Sequence, residues 1–161
     1  MASNDASTVE SVPDSEARDI QALVGEFPIH YREAFAIRVE GDRTPEDWAR
    51  LMLEGATPRK QARMLSAWRR LGLDLAPPGT DGHVLGWRVE RSDDRAVVLA
   101  VDSRTLSARL VLASTPGRVV HTMVVAYRRW TGRPVWAAIA PGHRAFVRGL
   151  LDDLARHASR R

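Results

Sequence analysis

The chain has 161 residues, of which 44% are hydrophobic and 27% are charged, and its formal net charge is +4. These values are typical of one soluble globular domain, and no apolar run approaches the ~20 residues that a membrane-spanning helix needs. The sequence contains no cysteine, which excludes disulfides, zinc thiolates and thiol catalysis.

The positive charge is carried almost entirely by arginines that are interleaved with Asp and Glu, and Lys60 is the only lysine. Such a mixture is typical of a solvated surface, so we expect no nucleic-acid partner. The N-terminus lacks the basic start and the apolar core of a signal peptide. We therefore expect a cytoplasmic protein without a membrane span.

The N-terminal part of the chain is the least apolar. Residues 1–13 are rich in Ser, Asp, Ala and Asn, a composition that predicts a disordered tail. Residues 14–27 carry a few apolar side chains at helical spacing, which predicts either a weak helix or more tail. The folded domain is predicted to span residues 28–158, and residues 159–161 form a second short tail.

The first predicted strand, Tyr31–Val39, alternates in the way expected of a strand with one buried face. The predicted inward residues are Tyr31, Glu33, Phe35, Ile37 and Val39. A carboxylate on an inward face needs an explanation. Glu33 either lies near the end of the strand or is a polar group placed in a pocket.

Two predicted helices follow, and each begins with the same signal. Thr44-Pro45 and Thr57-Pro58 each place a capping threonine before a proline at the first helical position. The second helix is basic and amphipathic. It is either a surface helix whose apolar stripe packs on the core or a helix that binds a membrane surface or a nucleic acid.

Four strands are predicted next, separated by short polar turns. They are Val84–Arg91, Arg95–Val101, Thr105–Ala113 and Arg118–Arg128. Consecutive hairpins make such a meander antiparallel, and its apolar face must be covered by another layer.

The chain ends in a long predicted helix, Gly132–Ala158, whose apolar residues recur with helical periodicity. Pro141-Gly142 predicts a kink, because proline cannot donate to the carbonyl four residues earlier. This helix is the expected cover of the sheet, so the predicted fold class is α+β.

The order of these elements resembles the helix-grip fold of the START, polyketide-cyclase and Bet v allergen superfamily, also called SRPBCC. The segments His83–Trp87, Thr115–Gly117, Trp130–Arg133 and Ala140–Arg144 resemble an uncharacterised, unknown-function branch of it, whose helix carries a Pro-x-His-Arg step. The resemblance implies a curved antiparallel sheet wrapped around the long C-terminal helix. It also implies an apolar cavity between them that receives a hydrophobic small molecule.

The candidate site residues are those predicted to face this cavity. The predicted ligand-binding residues are Tyr31, Phe35, Trp87, Met123, Tyr127, Trp136, His143 and Val147. The candidate acid–base groups are His143, Tyr127, His121 and Glu33, because imidazole, phenol and carboxylate can exchange protons with an enolisable substrate in a dry cavity.

Each of these groups also has a purely structural interpretation. His143 is more simply explained as a core histidine bonded to a carbonyl that Pro141 leaves free. His121 also fits a partly exposed strand position, and Tyr127 fits a core aromatic whose hydroxyl reaches water. Arg144 and Arg148 either grip an acidic ligand head group at the cavity mouth or are solvated and paired along their own helix.

Three hypotheses about function follow. The first is binding of a hydrophobic or aromatic small molecule, and the second is a cyclase- or aromatase-like enzyme that uses acid–base groups in the same cavity. The third is nucleic-acid or membrane-surface binding through the basic second helix. A cavity of ~300 Å³ or more with aromatic walls favours the first two. The sequence predicts no metal site and no cofactor, and it leaves a homodimer open.

Overall fold

A computed structural model of the chain describes residues 9–13 and 19–160. Predictions that fall on residues 1–8, 14–18 and 161 lie outside the described residues. Within the described ranges the elements, in chain order, are β1 (Glu10–Ser11), α1 (Ile20–Val24), β2 (Tyr31–Arg38), α2 (Pro45–Leu53), α3 (Pro58–Arg70), β3 (His83–Val84), β4 (Trp87–Ser92), β5 (Ala96–Asp102), β6 (Leu106–Thr115), β7 (Arg118–Tyr127) and α4 (Gly132–Ala158).

All the strands belong to one antiparallel sheet. Their spatial order is β1-β2-β7-β6-β5-β4-β3. The predicted meander is confirmed as β4 to β7, and β2 pairs along its whole length with β7. The first long strand and the last strand are therefore neighbours, which brings residues from the two ends of the domain together.

One face of the sheet is covered by helices, as predicted. The inward side chains of α4, including Leu150, Leu151 and Leu154, are buried in the same core as Leu99 and Leu112 of the sheet. The helix runs unbroken through Pro141, and the kink at that residue stays a prediction. Among the described residues, no helix combines the length and the apolar character needed to cross a bilayer.

The helices α2 and α3 begin at the predicted caps. The hydroxyl of Thr44 accepts a hydrogen bond from the backbone N–H of Asp47 at 3.1 Å, and that of Thr57 accepts one from Lys60 at 3.3 Å. These bonds satisfy N–H groups that would otherwise lack a partner in the first turn. The caps fix where α3 starts, and α3 forms one side of the cavity described below.

The opposite face of the sheet is covered by the segment that the sequence predicted as weak helix or tail. Ile20, Val24 and Phe27 are buried against a second set of sheet residues that includes Val98 and Val124. The helical part is short, Ile20–Val24. The segment stabilises the fold because it removes the outer apolar face of the sheet from water.

The structure differs from the tail prediction at residues 9–13. Glu10 and Ser11 pair with Ala36 and Phe35 of β2, and Val9 is 5% exposed. Composition predicts disorder because the segment has few apolar side chains. The segment is instead ordered by backbone hydrogen bonds to an otherwise open sheet edge.

The predicted strand Val84–Arg91 is also corrected, because the chain reverses inside it. Leu85 and Gly86 both have positive φ, 45° and 88°, so β3 folds back on β4 and Val84 pairs with Trp87. A side chain at position 86 would place its Cβ 2.9 Å from the carbonyl oxygen of Ala76. Glycine is needed there both for the turn and for this close approach.

Candidate functional site

A cavity of about 250 Å³ lies between α3, α4 and the covered face of the sheet. It is predominantly apolar, and aromatic rings form much of its wall. The residues that line it are Arg63, Met64, Ala67, Trp68, Leu71, Leu73, Trp87, Leu106, Ala108, Met123, Trp136, Ile139, Gly142, His143 and Phe146.

Two of the other clefts are larger than this cavity but have different linings. A cleft of about 290 Å³ between α2, α3 and the end of α4 contains the ion pair of Lys60 with Asp153. A surface cleft of about 440 Å³ is lined by Asp and Arg residues near Ser103. Apolar walls with a few polar groups are typical of small-molecule sites, so the cavity under α3 and α4 is the candidate site.

Aromatic pairs define the shape of the cavity. Trp68 of α3 meets Trp87 of β4 edge to face, with ring centroids 5.5 Å apart. Trp136 and His143 lie about two turns apart on α4, and their ring centroids are separated by 5.1 Å. Such pairs are rigid and stabilise each other beyond the burial of their area, which favours a preformed site.

His143 is held by a buried carboxylate. Its Nδ1 lies 2.6 Å from Oε1 of Glu33, whose side chain is 5% exposed. The Tyr31 hydroxyl donates a hydrogen bond of 2.7 Å to the other carboxylate oxygen, Oε2. Arg144 in turn donates to the Tyr31 oxygen at 3.4 Å. Oε2 of Glu33 is thus hydrogen-bonded and Oε1 is in close contact with the imidazole, which accounts for a carboxylate on the inward face of β2.

These contacts determine the protonation states of Glu33 and Tyr31. Burial alone would raise the pKa of Glu33, but its contacts with His143 and Tyr31 outweigh that effect and lower it. Burial, together with the hydrogen bond to Glu33 and its charge, raises the pKa of Tyr31 to about 12. At neutral pH, Glu33 is therefore a carboxylate and Tyr31 a neutral phenol that donates to it.

The orientation of His143 follows from this pair. Nδ1 faces Glu33 and is shielded from solvent. Nε2 is therefore the nitrogen that remains for a bound molecule, and His143 is one of the residues that line the cavity. A carboxylate bonded to one imidazole nitrogen fixes the ring and favours transfer of a proton at the other. His143 is thus positioned to exchange a proton with a molecule in the cavity.

His121 has a different environment. It is fully buried, 0% exposed, which rules out the partly exposed strand position. Neither ring nitrogen has a hydrogen-bond partner among the described residues. Burial, and then the charge of His143, lower its pKa to about 4, although Glu33 opposes the shift. His121 is neutral at physiological pH, and it is not among the residues that line the cavity.

Four of the predicted ligand-binding residues line the cavity: Trp87, Met123, Trp136 and His143. Tyr31 lies behind them, edge-on to Trp136 at 5.3 Å.

The remaining predicted residues lie elsewhere. Phe35 is buried below the guanidinium of Arg148, 4.9 Å from its ring centroid, and Val147 is buried in the helix–sheet core. Tyr127 stacks on His30 with ring centroids 5.3 Å apart. None of the three lines the cavity.

The sequence did not point to the contribution of α3. Met64, Trp68 and Arg63 line the cavity, whereas the apolar stripe of this helix was interpreted as packing on the core or as part of a membrane- or nucleic-acid-binding surface. The signal was present, since Met64 and Trp68 have helical spacing. Nothing in the sequence says which part of the sheet the helix covers.

The described residues offer no evident metal site. No group of three or more His, Asp or Glu side chains in residues 9–13 and 19–160 is arranged to hold a metal ion.

Comparison with known proteins places most of the chain in one family. Residues 3–150 match a family described as a protein of unknown function, DUF2867. No curated protein and no solved structure matches the chain.

Proposed function

The chain belongs to the DUF2867 family of unknown function, and we propose that it binds a small hydrophobic or aromatic molecule in the cavity between α3, α4 and the sheet. The observation that supports this proposal is the lining: Trp68, Trp87 and Trp136 contribute to its walls, and the imidazole of His143 is one of its few polar groups. Apolar walls provide affinity, and a few fixed polar groups provide orientation.

The volume limits the size of the ligand. The cavity volume of about 250 Å³ is slightly smaller than the volume of pockets for drug-sized ligands, which is about 300–1,000 Å³. A molecule of one or two aromatic rings fits this size better than an extended polycyclic compound or a long acyl chain.

The helix-grip resemblance supports the same proposal. A terminal helix over an antiparallel sheet, with an apolar cavity between them, is the arrangement that the SRPBCC superfamily implies. Membership of this chain in that superfamily is part of the proposal. Because one fold can host many functions, the proposal depends on the cavity lining.

The proposal is tested by a filling substitution and its matched control. Ala67 and Ala62 are both exposed alanines of α3, but only Ala67 lines the cavity. A phenylalanine at position 67 should occupy space that the ligand needs, whereas one at position 62 should not.

The measurement combines native mass spectrometry of protein from its own host with a thermal-shift screen of one- and two-ring aromatic compounds. We expect a compound that raises the melting temperature of the wild type and of Ala62→Phe but not of Ala67→Phe. If no compound raises the melting temperature, or if Ala67→Phe responds as the control does, the proposal fails.

A second candidate function is acid–base catalysis on the bound molecule. The specific observation in its favour is the 2.6 Å contact of His143 Nδ1 with the buried Glu33. An imidazole held by a carboxylate at the edge of an apolar cavity has the geometry of a general base. It would remove a proton next to a carbonyl and return it from the same nitrogen.

Exchange of the acidic C–H protons of β-tetralone in deuterium oxide, followed by NMR, tests this function. If His143 is the base, the wild type should accelerate the exchange, and His143→Gln should remove most of the acceleration. His83→Gln is the control, because His83 lies outside the cavity. Equal exchange rates in the wild type and His143→Gln would contradict the catalytic role.

A further inference from the structure

The charge of the cavity lining comes from an arginine, Arg63. Among the described residues that line the cavity, Arg63 and His143 are the only ionisable side chains, and none is Asp or Glu. Cavities lined by one sign of charge select ligands of the opposite sign. The lining therefore indicates that the polar group of the ligand is negatively charged.

Arg63 is available for such a ligand. Its guanidinium lies over the ring of Phe146, 5.2 Å from the centroid, and no carboxylate of the described residues forms an ion pair with it. Its neighbour Lys60 is paired with Asp153.

The arginines that the sequence suggested for this role are engaged elsewhere. Arg144 donates to Tyr31, and Arg148 donates to Ser11 and lies over Phe35. Neither lines the cavity. Arg63 is on the facing helix, α3, and was not singled out by the sequence.

Arg63 also lies at the same end of the cavity as His143. Phe146, which supports the guanidinium, follows His143 by one turn of α4 and faces the same side. Arg63 and Gly142 are exposed and His143 is half-buried, whereas Trp87 and Trp136 are buried. The guanidinium and the imidazole edge therefore flank the mouth, whereas the tryptophans and Met123 form the apolar part.

We propose that the ligand is a small aromatic carboxylic acid, with its rings among the tryptophans and its carboxylate bound by Arg63 at the cavity mouth. This inference rests on the proposed function. Guanidinium binds a carboxylate through two parallel N–H···O bonds. The stacking of Arg63 on Phe146 reduces the freedom that the side chain would lose on binding.

Calorimetric titration with naphthalene carboxylate and naphthalene carboxamide tests the inference, because the two probes have the same rings and differ in charge. In the wild type we expect the carboxylate to bind about tenfold more tightly, as a hydrogen bond to a charged group allows. Arg63→Gln should remove this preference without weakening the amide. Arg63→Lys should retain part of it, because the charge remains.

Arg59→Gln is the matched control, since Arg59 is an exposed arginine of α3 that does not line the cavity. If both probes bind equally to the wild type, or if the preference survives in Arg63→Gln, the carboxylate inference is overturned while the binding proposal stands. If neither probe nor any other small aromatic compound binds, both are overturned.

Discussion

Glu33 and His143 join the first long strand to the terminal helix through a contact of 2.6 Å between Oε1 and Nδ1. Strand β2 also pairs with β7, which puts Glu33 opposite the cavity residue Met123. The contact thus links the position of α4 on the sheet to the orientation of the imidazole at the cavity. One contact serves both the packing and the candidate site.

The Glu33–His143 pair should be strongly coupled in stability. In a double-mutant cycle with Glu33→Ala and His143→Ala, measured by chemical denaturation, we expect a coupling free energy of about 1–3 kcal/mol. The more exposed pair Lys60–Asp153 is the control, and such pairs typically give less than about 1 kcal/mol. Equal coupling in both cycles would show that burial adds nothing to the Glu33–His143 contact.

Tyr31 should titrate at unusually high pH. The chain has two tyrosines, so Tyr127→Phe leaves Tyr31 as the only phenol. Its near-ultraviolet phenolate absorbance should then report a pKa of about 12. Adding Glu33→Gln should lower the value, because the carboxylate that accepts the hydrogen bond and opposes the phenolate charge is gone. An unchanged value in that double variant would mean that Glu33 does not control Tyr31.

His121 should make the protein less stable below pH 6.5. The unfolded state protonates histidine near pH 6.5, whereas the folded state resists protonation until about pH 4. Between these values the unfolded state binds more protons, so the free energy of unfolding falls as the pH is lowered. The full effect is on the order of 3 kcal/mol.

His121→Leu should flatten that pH dependence, as measured by denaturant unfolding at several pH values. Glu33 affects the free energy of unfolding in a separate, lower pH range. Its pKa is lowered from 4.5, so its contribution is present above that pH and is lost as the pH falls through its folded value. A slope between pH 6.5 and 4 that is the same in His121→Leu and the wild type would contradict the assignment to His121.

Three glycines of α4 should respond differently to alanine. At Gly149 and Gly142 a Cβ meets nothing within 4 Å, so each substitution should stabilise the helix by about 0.5–1 kcal/mol. At Gly132 a Cβ would lie 2.7 Å from the carbonyl oxygen of Thr105. There alanine should destabilise the protein by about 1–3 kcal/mol. Thermal denaturation of the three variants tests this order, and a neutral Gly132→Ala would contradict the close approach.

The sequence predicts those features that depend on local pattern. Apolar periodicity and Pro134 near the start predict α4 at its observed bounds, and the alternation of β2 correctly turns Glu33 inward. The turn at Leu85-Gly86 was missed because Val84–Arg91 alternates well enough to resemble one strand. The only local warning was Gly86.

The features that the sequence could not predict depend on contacts between distant segments. Nothing near Glu33 indicates that His143 is its partner, and nothing near Arg63 indicates that it lines the cavity and packs on Phe146. The pairing of Glu10 and Ser11 with β2 is a backbone contact, which side-chain composition does not encode. The candidate site is assembled from α3, α4 and the sheet, so its geometry required the fold.

The central claim is that a small aromatic molecule enters the cavity between α3, α4 and the sheet, and the five tryptophans allow a direct test. Trp68, Trp87 and Trp136 line the cavity, whereas Trp48 is buried elsewhere in the core and Trp130 is 88% exposed. Assigned indole resonances should be followed in proton–nitrogen NMR spectra as naphthalene carboxylate is added. We predict saturable shifts of the three cavity tryptophans with little change at Trp48 and Trp130. Shifts confined to Trp130, or none at all with this and every other small aromatic compound tested, would contradict the account.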